Sequence, residues 1–234
     1  MKNILSNIKL SLLEISNKIR YHNSVNLGHT FVNSKNKSGE SPKELDLICN
    51  DFIINNLKGL DSVRYIASEE EDELFSCNTL GDYLITLDPL DGSSCISSNL
   101  PIGTIFSIWK YKQKDFKDEN MNDENIHKWT NSSRLPSLLG AKSLSGSFEK
   151  NYLENGHDII TAGYCLYGYS TQLVIADNKS VSLELLNKEG SFDIINSNLK
   201  IPELGDTYSY NGSYINSRIN KVSVKLNEGG YNHR

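Results

Sequence analysis

One run constrains this chain more than any other: Tyr83-Leu84-Ile85-Thr86-Leu87-Asp88-Pro89-Leu90-Asp91-Gly92-Ser93-Ser94. The apolar, β-rich segment Tyr83 to Leu87 delivers Asp88 at its carboxyl end. Pro89, which has no N–H to donate, is expected to stop the ladder, and Asp91 follows three residues after Asp88. Both acids can then turn toward one point. Two carboxylates that close repel unless a cation lies between them, and Mg²⁺ suits the pair as a hard ion held by a few carboxylates plus water and phosphate oxygens. Gly92, Ser93 and Ser94 add N–H groups and hydroxyls without bulk, the composition of a phosphate cradle. A plainer reading stands beside this one. Asp, Pro and Gly are all turn formers, so Asp-Pro-x-Asp-Gly is equally a tight turn.

A second acidic cluster, Ser68-Glu69-Glu70-Glu71-Asp72-Glu73, weighs for the first reading because it too follows a short apolar strand, Val63 to Ala67. In open α/β sheets ligands collect outside the carboxyl ends of strands, where both clusters would meet. Glu69 and Glu70, nearest the strand end, belong in such a site. Glu71, Asp72 and Glu73 are expected to form a solvated face. Asp46 is a third candidate. It lies past the first turn of a helix and shares a face with Asn50, Ile53 and Leu57, so an ionised carboxylate there needs a partner such as a metal or its water. The alternative is a surface Asp on a two-sided helix. His22, His29, His127, His157 and His233 show no ligand spacing and are expected in solvent, and a Ser-His-Asp triad has no local support.

Two helices and a series of strands frame these acids. Ile4, Ile8, Leu12, Ile15 and Ile19 recur at helical spacing, which predicts an amphipathic N-terminal helix rather than a signal peptide. Residues 22–40 are a polar loop without period. Ser41-Pro42-Lys43-Glu44 has the spacing of a capping box, opening a helix with Leu45, Ile48, Cys49, Phe52 and Ile53 on one wide face and Gly59 as its stop. Further strands are expected at Ile102–Lys110, Ile159–Leu166, Thr171–Ala176, Val181–Leu186 and Ser191–Ile195, the last four antiparallel. The pattern is an α/β fold of two lobes. Residues 1–110 are expected to form the lobe that carries the acidic clusters, 111–154 a polar excursion, and 155–234 a strand-rich lobe.

Composition narrows the partners. The 234 residues carry 24 Lys and Arg against 29 Asp and Glu, a formal charge of −5, which disfavours nucleic acid, since neutralising a phosphate backbone takes a basic surface. No apolar run approaches the roughly 18 residues needed to span a bilayer, so no membrane association is expected. Cys49, Cys77, Cys95 and Cys165 form no C-x-x-C pair and read as free thiols of a cytoplasmic protein.

The same residues carry a family resemblance. YLITLDPLDGSS followed by NLPIGTIFSIWK is similar to the central signature of the class 1 fructose-1,6-bisphosphatases, which include the sedoheptulose-1,7-bisphosphatases. KELDLICNDFIINNL resembles the family's metal-facing helix, ASEEE its Ser-Glu-Glu strand end, and AGYCLYGYSTQLVIA the strand pair of its second lobe. D-P-x-D-G alone would also fit inositol monophosphatase relatives, but GSS and GTIFSIW favour the sugar bisphosphatases.

The resemblance implies a two-lobed αβαβα sugar-phosphatase fold and Mg²⁺-dependent hydrolysis of the 1-phosphate of a sugar bisphosphate, with Mn²⁺ as an alternative ion. It implies that Glu69, Asp88, the Leu90 carbonyl and Asp91 ligate the metal, and that Asp46 and Glu70 activate or orient water. Gly92, Ser93 and Ser94 would hold the departing phosphate, and Asn211, Tyr214 and Arg234 the distal one. Glu40 stands where the family has a loop Asp, and Gly212 where an acidic residue is expected. Trp109, where fructose-type members often carry Tyr, leans toward sedoheptulose.

The family's AMP-binding arm lies upstream of the first helix, so AMP inhibition is not expected. Family members are longer, so the chain reads as C-terminally truncated, with an incomplete second lobe. As a truncated product or a fragment of a longer one, it would be without the helix-borne Glu of the metal site and the Lys and Tyr for the sugar that the resemblance implies, and its second-lobe strands are expected to expose apolar surface. A full-length member would form homo-oligomers. A different class of function also fits: a non-catalytic remnant that binds metal or phosphate, or serves as a partner subunit.

Overall fold

The computed structural model describes residues 1–21, 44–71, 74–111, 159–205, 207–208, 225 and 232–233. Helix α1 (Lys2–Tyr21) forms where the period placed it, and Ile4, Ile8, Leu12 and Ile15 are buried along one side. Helix α2 (Glu44–Leu57) buries Leu45, Cys49, Ile53, Ile54 and Leu57. Its inner face is turned from the expected one. Ile48 and Phe52 are only half-buried, whereas Asp46 and Asn50 are buried. The expected loop 22–40 and the cap at Ser41 and Pro42 lie outside the described residues, as do His22, His29, His127, His157 and almost all of the 111–154 excursion.

Eight strands form one sheet: β1 (Val63–Ser68), β2 (Phe75–Ser76), β3 (Tyr83–Asp91), β4 (Ile102–Lys110), β5 (Ile159–Tyr167), β6 (Thr171–Asp177), β7 (Val181–Leu186) and β8 (Phe192–Asn196). Their order is β2-β1-β3-β4-β5-β6-β7-β8. Within this described sheet only β1 and β3 run parallel; every other neighbouring pair is antiparallel. The sheet passes directly from β4 to β5, so the strands on either side of 111–154 are hydrogen-bonded neighbours. By its contacts the chain divides into compact units at 1–199 and 200–234. In the second, β9 (Thr207–Tyr208) pairs in parallel with β10 (Asn232–His233), which gives the backbone of His233 a strand partner.

Both helices pack on one sheet face. Because strand side chains alternate, Ile85 and Leu87 of β3 and Phe106 and Ile108 of β4 enter this core with Cys165 and Leu173, beneath Ile4, Ile8, Leu12 and Ile15. Gly163 permits the fit, since a Cβ there would stand 2.6 Å from the Phe106 ring. Ser16 Oγ and Thr171 Oγ1, 2.8 Å apart, and the Lys9–Glu184 ion pair at 2.6 Å fasten α1 to the sheet. The helix layer and the large sheet are the layers of the expected αβαβα arrangement seen among the described residues. No described helix is long and apolar enough to cross a membrane, and all four cysteines are free thiols.

Candidate active site

Parallel pairing of β1 with β3 brings the two acidic clusters together. Ser68 is the register partner of Leu87, so the residues that follow, Glu69 and Asp88, emerge side by side at one end of the sheet. The Glu69 N–H donates to the Leu87 carbonyl at 3.1 Å and extends the ladder into the acidic turn. Asp88 is 8% exposed. Its burial, its side-chain hydrogen bond with Glu69, and the charges of Glu69 and Asp91 push its carboxyl from the ordinary 3.8 up to about 8, while the Leu90 N–H, donating to Asp88 Oδ1 at 3.1 Å, pulls the other way.

Pro89 does not stop the strand. β3 continues to Asp91, with an irregularity between Asp88, opposite Ile105, and Asp91, opposite Gly103. Three steps on β3 are matched by two on β4, which is a β-bulge, and a proline fits there because a bulged residue needs no ladder N–H. Without the bulge, residues three apart would point to opposite faces. With it, Asp88 and Asp91 stand on the same one. Thr104 Oγ1 donates to the Pro89 carbonyl at 2.8 Å, so the bulged peptide is held from β4.

Past Asp91 the chain turns at Gly92, whose φ of 77° is left-handed and suits glycine, into a short 3₁₀ segment, Ser93–Ser98. Ser93 Oγ donates to Asp46 Oδ2 at 3.2 Å, and Asp46 is 3% exposed. Helix α2 thereby meets the turn after β3. The Glu70 N–H reaches Ser68 Oγ at 3.4 Å, keeping Glu70 at the end of β1. Glu71 departs from its expected place on a solvated face: it is half-buried and its Oε1 accepts from Asn50 Nδ2 at 2.7 Å, because α2 lies close enough to supply a donor. Asp72 and Glu73 lie outside the described residues, as do Asn211, Tyr214, Arg234, Glu40 and Gly212.

The structure therefore gathers Asp46, Glu69, Glu70, Asp88, Leu90, Asp91 and the Gly92-Ser93-Ser94 turn at one end of β1 and β3. The acids are spread, however: Glu69 is bonded to Asp88, Asp46 to Ser93, and Asp91 is exposed. Among the described residues no three His, Cys, Asp or Glu side chains converge as a metal-ligand set. The donors are all oxygens, and burial, the hydrogen bond with Glu69 and the charges of Glu69 and Asp91 together disfavour a bare carboxylate at Asp88, a setting that a hard divalent cation relieves.

Beside Glu69 and Asp88, on the sheet face away from the helices, lies a cavity of about 410 Å³, lined by Thr86, Ser107, Ile105, Tyr164 and Val174 as well. Trp109 Nε1 donates to Ser107 Oγ at 2.7 Å, and Trp109 packs with Tyr65 and Leu84. Sequence reasoning does not single out Asn50 or Ser68 as functional. The one available signal is the position of Asn50, one helical turn after Asp46.

Comparison with known proteins places the chain in a family. The family model "Fructose-1-6-bisphosphatase, N-terminal domain" matches residues 1–197. A class 1 fructose-1,6-bisphosphatase of Shewanella sediminis is 37% identical over 177 residues, covering 75% of this chain and 44% of that protein. One from Trichodesmium erythraeum is 35% identical over 186 residues, covering 77% and 44%. The crystal structure of Leishmania major fructose-1,6-bisphosphatase in holo form superposes with a TM-score of 0.76 at 26% identity, over 99% of this chain and 66% of that one. The chain thus spans less than half the length of these curated relatives. On the family match and these identities, the chain belongs to the fructose-1,6-bisphosphatase family.

Proposed function

We propose that the chain carries the metal- and phosphate-handling part of a Mg²⁺-dependent sugar bisphosphatase that removes the 1-phosphate of fructose-1,6-bisphosphate or sedoheptulose-1,7-bisphosphate. The observation that carries the reading is the parallel β1–β3 pair, which sets Glu69 beside Asp88, together with the bulge that puts Asp91 on the same face. Glu69, Asp88, the Leu90 carbonyl and Asp91 would hold Mg²⁺ or Mn²⁺. Such an ion, when bound, neutralises phosphoryl oxygens, acidifies water and stabilises a leaving alkoxide.

The protein's own residues do the rest. Asp46 and Glu70 orient the attacking water and take its proton as the water oxygen bonds to phosphorus. The bond from phosphorus to the sugar oxygen breaks, and that oxygen regains a proton. Gly92, Ser93 and Ser94 hold the departing phosphate; Ser93 is already tied to Asp46, which couples the phosphate turn to the water site. Asn211, Tyr214 and Arg234 would bind the distal phosphate. Positioning and charge stabilisation supply nearly all of the catalysis in such a transfer. A cytoplasmic setting, supported by the four free thiols, and a homo-oligomeric full-length form belong to the same proposal.

A second reading, a non-catalytic subunit that holds metal or phosphate, is favoured by Ile105, Tyr164 and Leu166, exposed by 40%, 47% and 38% on the face away from the helices. Purified chain incubated with Mg²⁺ and either bisphosphate distinguishes the two. Release of inorganic phosphate, lost on chelation, supports the enzyme. Retained Mg²⁺ binding without release, by this chain and by a longer one alike, supports the subunit.

A further inference from the structure

The side chain of Asn50, on helix α2, reaches both ends of the acidic turn after β1. Asn50 is 2% exposed and Ser68 is 4% exposed. Ser68 Oγ donates to Asn50 Oδ1 at 2.7 Å, and Asn50 Nδ2 donates to Glu71 Oε1 at 2.7 Å. The Glu70 N–H points to the same Ser68 Oγ, and the Glu71 N–H donates to the Ser68 carbonyl at 3.3 Å. The amide thus grips the turn at its first and last residues, with Glu69 and Glu70 between. Its orientation is fixed, because an ionised Glu71 only accepts hydrogen bonds and so must face the Nδ2 end.

We propose that Asn50 is a positioning residue that sets where Glu69 and Glu70 point by clamping Ser68 and Glu71 to α2. Its bearing on metal binding rests on the metal-hydrolase reading above; the clamp itself does not. Neither Asn50 nor Glu71 acts on substrate in this assignment. Both are needed because a turn carrying adjacent acids beside Asp88 is otherwise driven open by like charges.

The experiment exchanges the polarity of the pair in the full chain and reads two signals: hydrogen exchange at the amides of Glu69, Glu70 and Glu71, and Mn²⁺ affinity by electron paramagnetic resonance. In Asn50→Asp the new carboxylate cannot donate to Glu71 and faces it as a second charge. Exchange in the turn should quicken, and Mn²⁺ affinity should fall by about tenfold, the scale expected when an outer-sphere partner of a ligand is lost. The double variant Asn50→Asp/Glu71→Gln keeps the formal charge and restores the bond with the direction reversed, the introduced glutamine amide now donating to the introduced carboxylate. Both signals should then return to within about threefold of the starting protein. Glu71→Leu, which alters the turn rather than the helix, should quicken exchange as Asn50→Asp does.

Unchanged exchange in Asn50→Asp and Glu71→Leu overturns the clamp, as does a folded double variant that fails to recover. If exchange follows the expected pattern but the unaltered chain takes up no Mn²⁺, the clamp stands and the metal-hydrolase reading falls.

Discussion

The two faces of the large sheet use the same strands for opposite ends. Toward the helices, β3 and β4 present Ile85, Leu87, Phe106 and Ile108, all buried in the core with α1 and α2. Away from the helices, the alternate residues of the same strands are Thr86, Asp88, Ser107 and Ile105, beside a cavity of about 410 Å³. A one-residue change of phase separates a side chain that holds the fold from one suited to chemistry. The bulge at Pro89 adds to this division, because it recovers for the second face an acid that a regular strand would have sent to the first.

Substitutions on the two faces should therefore fail in different ways. The largest effect is expected from Asp91→Ala, which should reduce Mg²⁺-dependent phosphate release to background while circular dichroism stays that of the unaltered chain. Undiminished release in that variant refutes the assignment of the carboxylates. On the helix side, Leu12→Ala, at a position with no exposure, should cost about 2–5 kcal/mol in denaturant unfolding and leave the acids in place. A loss below about 1 kcal/mol would mean that α1 contributes less to the core than its burial indicates.

A pH effect of intermediate size should come from the second face. The Asp88 carboxyl is raised from 3.8 to about 8, so the folded chain holds a proton that the unfolded chain releases near 3.8. The stabilisation is fully present below about 4 and is lost as the pH rises through about 8. Thermal unfolding without added divalent ion should show this decline, Asp88→Asn should flatten it, and Mg²⁺ should raise the melting temperature more at pH 8 than at pH 5. An equal gain at both pH values would separate the ion from Asp88. The smallest effect is expected for Ile105→Ser. It should shift stability within about 0.5 kcal/mol, because Ile105 is 40% exposed, and should reduce self-association measured by light scattering.

Much of the fold can be read from periodicity. The 3.6-residue recurrence of Ile4, Ile8, Leu12 and Ile15 and most of the β-rich runs from Val63 to Asn196 correspond to elements within a residue or two of their ends, except that β3 runs four residues past Leu87 and the two-residue β2 has no counterpart among the expected strands. The acidic clusters are legible because each follows such a run. Three features are not. Pro89 reads locally as a stop although the strand runs through it, Glu71 reads as solvated although it is half-buried, and Asn50 carries no local mark of its role. Each depends on a neighbour distant in the chain: β4 across from Pro89, and α2 beside Glu71.

Local residue order was therefore enough to establish which segments become helix or strand and that acids stand at strand ends, because backbone propensity and side-chain period act over a few residues. Which acids lie side by side was settled only by packing. The parallel register of β1 on β3, the one-residue bulge against β4 and the reach of Asn50 from α2 are distances between segments far apart in the chain, and hydrogen bonding and charge repulsion fall off too steeply for anything but tertiary contact to set them.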